Sequence, residues 1–297
     1  MRTLIAVVLG FFVILITSYQ AFSQTSYLEQ ADTTSDDPTS VVNRPVNVQG
    51  LTGLIITNSA YTQRKGRVVV GLSAIAENSS EPNFSMARGI ATITAGVTDR
   101  IEVGAKAKVI ASNMGSSDTR EIGAGDTDLL FKWRLSSAGE TMPAMALGLA
   151  YTIPTGDTEK GFSEVKREGI RFMVIGASEK EMPGDYVLGV YFEGQMVFID
   201  QLQRPADTPY ADKYGVINAG VLSPLDQNRR WQAIVEYNQV VKKDKESLYD
   251  ENYIAIMPGL RYVTPNLNIS LGVQFLNRDQ EGAENSTRYV GTVSYTF

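Results

Sequence analysis

Residues 266–277 read NLNISLGVQFLN. Leu267, Ile269, Leu271, Val273 and Phe275 alternate with Asn268, Ser270, Gly272 and Gln274. Successive side chains of a strand point to opposite faces, so this stretch has one greasy face and one polar or small face. The same period returns along the chain. Ile101, Val103, Ala105, Ala107 and Val109 alternate with Glu102, Gly104, Lys106 and Lys108, and Leu129, Phe131, Trp133 and Leu135 with Asp128, Leu130, Lys132 and Arg134. Twelve such segments lie near 66–77, 86–97, 100–112, 123–135, 143–154, 168–178, 185–198, 212–223, 230–242, 253–263, 266–277 and 287–297. Most are longer than the roughly 5–6 residues common in soluble strands, and long enough to cross a bilayer at a tilt.

The connections carry an independent signal. Long polar ones, 78–85, 113–122, 155–167, 199–211, 243–252 and 278–286, alternate with short ones at Thr98-Asp99, Ser136–Met142, Glu179–Gly184, Pro224–Arg229 and Thr264-Pro265. Outer-membrane barrels sort their loops in this way, and a soluble β-sandwich has no reason to. Aromatic residues gather at strand ends: Trp133, Tyr186, Trp231, Tyr262, Tyr295 and Phe297 at one edge, Tyr151, Phe198, Tyr253 and Tyr289 at the other. These are the two interfacial belts of a membrane barrel. The expected fold is all-β, a transmembrane antiparallel up-and-down β-barrel of twelve strands. Its last strand, TRYVGTVSYTF (287–297), closes on Tyr295 and Phe297 in the manner of the signal read by the barrel assembly machinery.

Ahead of the barrel stand two other regions. Arg2, the apolar run Leu4–Ile16 and the small residues around Ala21-Phe22-Ser23 predict a signal peptide over 1–23. No later stretch reaches the roughly 20 apolar residues of a spanning helix. Residues 24–50, rich in Thr, Ser, Asp, Asn and Pro, are expected to be a flexible periplasmic lead-in. The barrel domain is expected over 51–297, with LTGLIITNSAYTQ (51–63) apolar enough to pack inside its mouth.

Composition narrows the function. The 297 residues carry no Cys, no His and a net charge of −6. An acidic chain is not built for nucleic acid. Without His the commonest general base is missing, and no lone Ser can be activated, so an enzyme is not expected. Nothing calls for a cofactor or metal. Asp126 and Asp128, which could suggest calcium, sit near lysines that can pair with them.

The inward faces carry the candidate site. Its charged members are Glu102, Lys106, Lys108, Asp126, Asp128, Lys132, Arg134, Arg171, Glu193, Glu236, Arg261 and Arg288, with Gln195, Gln232, Asn238, Asn268 and Gln274 beside them. They are expected to line the lumen. Two readings stand: a narrow ligand pathway, for which Gly104, Gly148, Gly189 and Gly272 leave room, or a salt-bridged interior that blocks flow. Facing residues of an antiparallel pair have a constant sum of numbers. For the third and fourth strands a sum of 234 sets Lys108 against Asp126, Lys106 against Asp128 and Glu102 against Lys132. Sums of 236 and 232 keep two such opposite-charge pairs and one. Each pair is worth only about 0.2–1 kcal/mol, so charge decides weakly among even registers. An odd sum would turn a polar face into lipid.

One pair of segments has a likeness. GAGDTDLLFKWRL (123–135), with Gly123, Gly125, Asp126, Lys132, Trp133 and Arg134, is followed by PAMALGLAYTIPTGD (143–157), which ends on Pro154, Thr155, Gly156 and Asp157. Together with TNSAYTQRKGRVVVGLS (57–73), these resemble the outer-membrane transporter, or meta-pathway of phenol degradation, family of β-barrel proteins. The likeness covers about a third of the chain. It implies a single-chain barrel passing small, often hydrophobic or aromatic, compounds, and carries no agreed functional residues. The expected partners are outer-membrane lipid, the assembly machinery and a small-molecule substrate. The alternative is a non-transporting structural or surface-binding barrel, which the polar loops 199–211 and 243–252, lacking apolar anchors, do not favour.

Overall fold

A computed structural model of the chain describes residues 45–79, 85–113, 121–138, 142–157, 162, 168–182, 186–199, 213–242, 252–278 and 286–297. The expected signal peptide and most of the long connections lie outside these residues.

The wall is built from β1 (Val68–Ser79), β2 (Ser85–Thr98), β3 (Ile101–Asn113), β4 (Glu121–Ala124), β5 (Thr127–Ser136), β6 (Ala144–Ile153), β7 (Gly169–Met182), β8 (Tyr186–Ile199), β9 (Lys213–Pro224), β10 (Trp231–Lys242), β11 (Tyr253–Val263), β12 (Leu267–Arg278) and β13 (Ser286–Thr296). Neighbours pair antiparallel in chain order, and β13 returns to β1, with Val69 opposite Thr296 and Ser79 opposite Ser286. Both β4 and β5 pair with β3, so they are two parts of one wall strand and the closed barrel has twelve. Closure leaves no unpaired edge, which a wall in lipid requires.

The faces follow the alternation. Leu271 and Phe275 are 57% and 55% exposed, whereas Asn268 and Gln274 retain 2%. Val70, Val103, Phe131, Leu149, Val190, Val235 and Ile256 are likewise exposed on the outside. A continuous apolar girdle of this extent is unusual on a soluble monomer and normal against lipid. At the short-turn end Trp231 and Tyr262 are register partners with ring centroids 4.9 Å apart, and the Tyr295 and Phe297 rings meet at 4.9 Å.

Three expectations are corrected. The domain boundary at 50/51 cuts through one folded unit, because Val46 pairs with Thr52, and the wall begins only at Val68. The turn expected over Glu179–Gly184 is shorter, since β7 runs to Met182. The third correction concerns the register between the third and fourth wall strands. Ile101↔Trp133, Glu102↔Lys132 and Lys106↔Asp128 hold the sum of 234, but Val109↔Ala124 and Ser112↔Glu121 sum to 233. Ala107 and Lys108 therefore face three residues, Gly125 to Thr127, the count that defines a β-bulge. The backbone partner of Lys108 is Gly125, whose N–H donates to the Lys108 carbonyl at 2.9 Å, and not Asp126. The odd sum is tolerated because it lasts only the four residues of β4, at the long-loop end of the wall.

Candidate functional site: a lumen seated by residues 45–65

Residues 45–65 fold inside the barrel as a plug. Two tight reversals follow each other: Val46 bridges to Thr52, and Gly53 to Asn58. Gly50 turns the first at φ +89°, which a residue with a Cβ rarely adopts. Asn47 ties the reversals together. Its side-chain oxygen accepts from the Gln49 N–H, and its Nδ2 donates to the Ile56 carbonyl and to Asn58 Oδ1, each at 2.9 Å. The chain leaves past β2, where Lys65 bridges to Gly96, and enters β1.

The plug is held by the charged groups of the wall. Glu236 of β10 accepts from the N–H groups of Ile55, Ile56 and Thr57 at 3.1, 3.1 and 2.6 Å. On β3, Glu102 accepts from the Thr52 and Gln63 N–H groups at 2.9 and 2.7 Å and from the Thr52 hydroxyl. Lys132 of β5 pairs with Glu102 at 3.0 Å and donates to the carbonyls of Thr52 and Ser59. Glu193 of β8 accepts from the Asn58 N–H and amide and from Asn218. Arg261 of β11 donates to the Gly53 carbonyl at 3.1 Å and to Ser270. A buried charge or a buried reversal of bare backbone is each costly alone; here each satisfies the other.

Apolar side chains complete the fit. Leu51, Leu54, Ile55 and Tyr61 are at most 2% exposed. Leu54 lies against Gly220, and Ile55 against Gly259 and Gly272. The room expected at the inward glycines is thus taken. A methyl at Gly104 would stand 3.0 Å from the Gly50 carbonyl oxygen, Gly148 is covered by Met173, and Gly189 by Tyr191. Between plug and wall remains a cavity of about 20 Å³ beside Tyr61, Glu179, Tyr191 and Arg261, room for one water.

The other candidates lie outside this grip. Toward the long-loop end from Glu102, Lys106 pairs with Asp128 at 2.6 Å, and Asp128 also accepts from Thr152. Arg171 donates to Gln49 Oε1 at 3.3 Å, as Gln195 does at 3.1 Å, which places these groups on the tip of the plug. Asp126 turns toward the segment after β6, accepting from the Gly156 N–H at 2.9 Å. At the short-turn end Arg134 donates to the Asp99 carbonyl. Near the long-loop end Arg288 pairs with Glu77 at 2.8 Å, its guanidinium 5.4 Å from the Tyr253 ring centre. Glu77 was legible by parity, since it shares the inward face of Ser73, yet it is absent from the sequence-derived set. Gln49, Thr52 and Asn58 left no signal in the alternation because they belong to no strand.

No protein-family model matches the sequence, and no curated protein does. The fold is similar to solved outer-membrane barrels. An outer-membrane channel from Pseudomonas putida F1 superposes with a TM-score of 0.59 at 10% identity, over 80% of this chain and 98% of that one. The NanC porin does so with 0.52 at 9% identity, over 76% and 98%. At these identities the likeness is one of fold.

Proposed function

We propose that the protein is an outer-membrane channel for small molecules, closed on its short-turn, periplasmic side by its own residues 45–65. The observation that carries this reading is what neutralises the lumen. Glu102, Glu193, Glu236 and Arg261 are engaged with a segment that is tethered to the wall at Lys65–Arg67 and otherwise held by hydrogen bonds and packing. A barrel built only as a scaffold needs no removable filling; cross-wall ion pairs such as Lys106–Asp128 would serve. On this reading residues 1–23 export the chain, the girdle faces outer-membrane lipid, and Tyr295 and Phe297 address the assembly machinery. The chain acts by passage and not by catalysis. The resemblance of 123–157 to the phenol meta-pathway family favours small hydrophobic or aromatic compounds as cargo.

Planar-bilayer conductance tests the proposal. The full mature chain is expected to conduct weakly or in brief openings. A variant lacking residues 45–63 should conduct steadily, because water can hydrate the exposed wall charges. Absence of conductance in both, with each still migrating as a folded barrel in unheated SDS, would favour the non-transporting barrel.

A further inference from the structure

Resting on that reading, we propose that Gln274, Asn238 and Asn218 are positioning residues, a directed hydrogen-bond relay along the wall that sets how firmly Glu193 holds the plug. Each amide donates to the next. Gln274 Nε2 donates to Asn238 Oδ1 at 2.9 Å, Asn238 Nδ2 to Asn218 Oδ1 at 3.0 Å, and Asn218 Nδ2 to Glu193 Oε2 at 2.9 Å. The last three groups lie in register across β8, β9 and β10: Glu193 faces Asn218, and Asn218 faces Asn238. Ala255 of β11 is the partner of Asn238, and so small a side chain leaves the Gln274 amide of β12 room to reach across.

Glu193 is where both reversals of the plug meet one carboxylate. It accepts from the Asn58 N–H at 3.2 Å and from the Asn58 side-chain amide, and Gln49 Nε2 reaches it at 3.5 Å. Glu102 has Lys132 as a counter-charge, but among the described residues no cation pairs with Glu193. Its buried charge therefore rests on N–H donors, and among the described residues Asn218 is the one donor that the wall supplies. A buried carboxylate is costly to leave short of a donor. Which end of the Asn218 amide meets Glu193 is decided one strand away. An Asn side chain carries donors on its nitrogen and an acceptor on its oxygen. The N–H of Asn238 holds that oxygen toward β10, which leaves the NH2 for Glu193. Turned over, Asn218 would set its oxygen against the carboxylate. Gln274 fixes Asn238 in the same sense. The three amides thus keep Glu193 shaped to receive Asn58, and a break anywhere along them loosens the plug.

Amide hydrogen exchange and bilayer conductance of the full-length protein test the relay. Asn218→Leu is expected to speed exchange of the Asn58 N–H by about tenfold, Asn238→Leu by severalfold and Gln274→Leu by less, with channel openings more frequent in the same order. In the Asn218→Leu background, Asn238→Leu should add nothing, because the link it acts through is gone. Asn238→Asp offers Asn218 acceptors alone, turns its oxygen toward Glu193 and should exceed Asn238→Leu. Exchange at Ile55, Ile56 and Thr57, which Glu236 holds, should change less than at Asn58 throughout. Unchanged exchange at Asn58 in Asn238→Leu, equal acceleration at the amides held by Glu236, or additive effects of Asn218→Leu and Asn238→Leu would each overturn the relay. If Asn238→Asp fails to fold, that last pair of substitutions still decides. A barrel that conducts without residues 45–63 but shows no change at Asn58 in these variants overturns the relay alone; one that never conducts overturns the channel.

Discussion

Glu236 faces three successive N–H groups, and its two oxygens take all of them. Gln in its place keeps the shape but offers one acceptor and turns an NH2 toward donors. Hydrogen bonds to a charged group are worth about 1.5–3 kcal/mol each, and an unmatched buried donor costs a similar amount. Glu236→Gln is therefore expected to speed amide hydrogen exchange at Ile55, Ile56 and Thr57 by about tenfold or more while exchange in the wall strands stays as it was. Unchanged protection at those three amides would show that the carboxylate does not hold the plug. Glu102 differs, because it also carries Lys132 at 3.0 Å. Removing it takes a carboxylate from a fully buried ammonium, a change that costs about 3–5 kcal/mol when a buried ion pair is broken, so its loss strikes the wall as well as the plug.

At the scale of elements, the two ends of the wall meet through β13 and β1, and the N–H of Phe297 donates to the Val68 carbonyl at 2.9 Å as the last bond of that ladder. Deleting Phe297 removes that bond and one ring from the Tyr295 pair, a loss of about 1–2 kcal/mol from a ladder of eleven register pairs. The deletion is thus expected to refold in detergent nearly as well as the parent chain, yet to reach the outer membrane poorly in cells. Normal surface levels would count against Phe297 as an assembly signal. The bulge at Gly125–Thr127 shows the opposite economy, where one inserted residue re-aims Asp126 without breaking closure. A Cβ at Gly125 would stand 3.0 Å from the Lys108 Cβ and 3.1 Å from Ile110 Cδ1, which ties the Gly-Asp pair of the 123–126 motif to the packing of the bulge.

The whole molecule presents an apolar girdle outward and charge inward, the inverse of a soluble domain. Its hydrogen bonds close on themselves around twelve strands, so opening the ladder anywhere exposes backbone to lipid or detergent tails. The protein is expected to stay folded in SDS at room temperature and to change its migration after boiling. Identical migration before and after heating, together with solubility in the absence of detergent, would contradict the membrane assignment.

What the sequence determined by itself is the wall. Period-2 alternation is local: whether Leu271 faces out and Asn268 in is decided by their spacing alone, so strand number, faces and most strand limits are legible in the sequence. Charge pairing also located two of the three expected partners on β3 and β5. The third, Lys108 with Asp126, failed because a one-residue bulge leaves both flanking patterns intact and is invisible to periodicity; the Gly125-Asp126 pair was its trace. The twelve candidates were expected to face inward from parity alone, but what they meet was not legible. Glu236 meets Ile55 across 181 residues, and Glu193 meets Asn58 across 135. No local pattern encodes such contacts. The apolar character of 51–63 pointed it into the barrel mouth; only the tertiary structure decided that 45–50 folds in with it and which wall charges hold the two reversals, because that choice depends on buried carboxylates and bare N–H groups, far apart in sequence, having no better partners than each other.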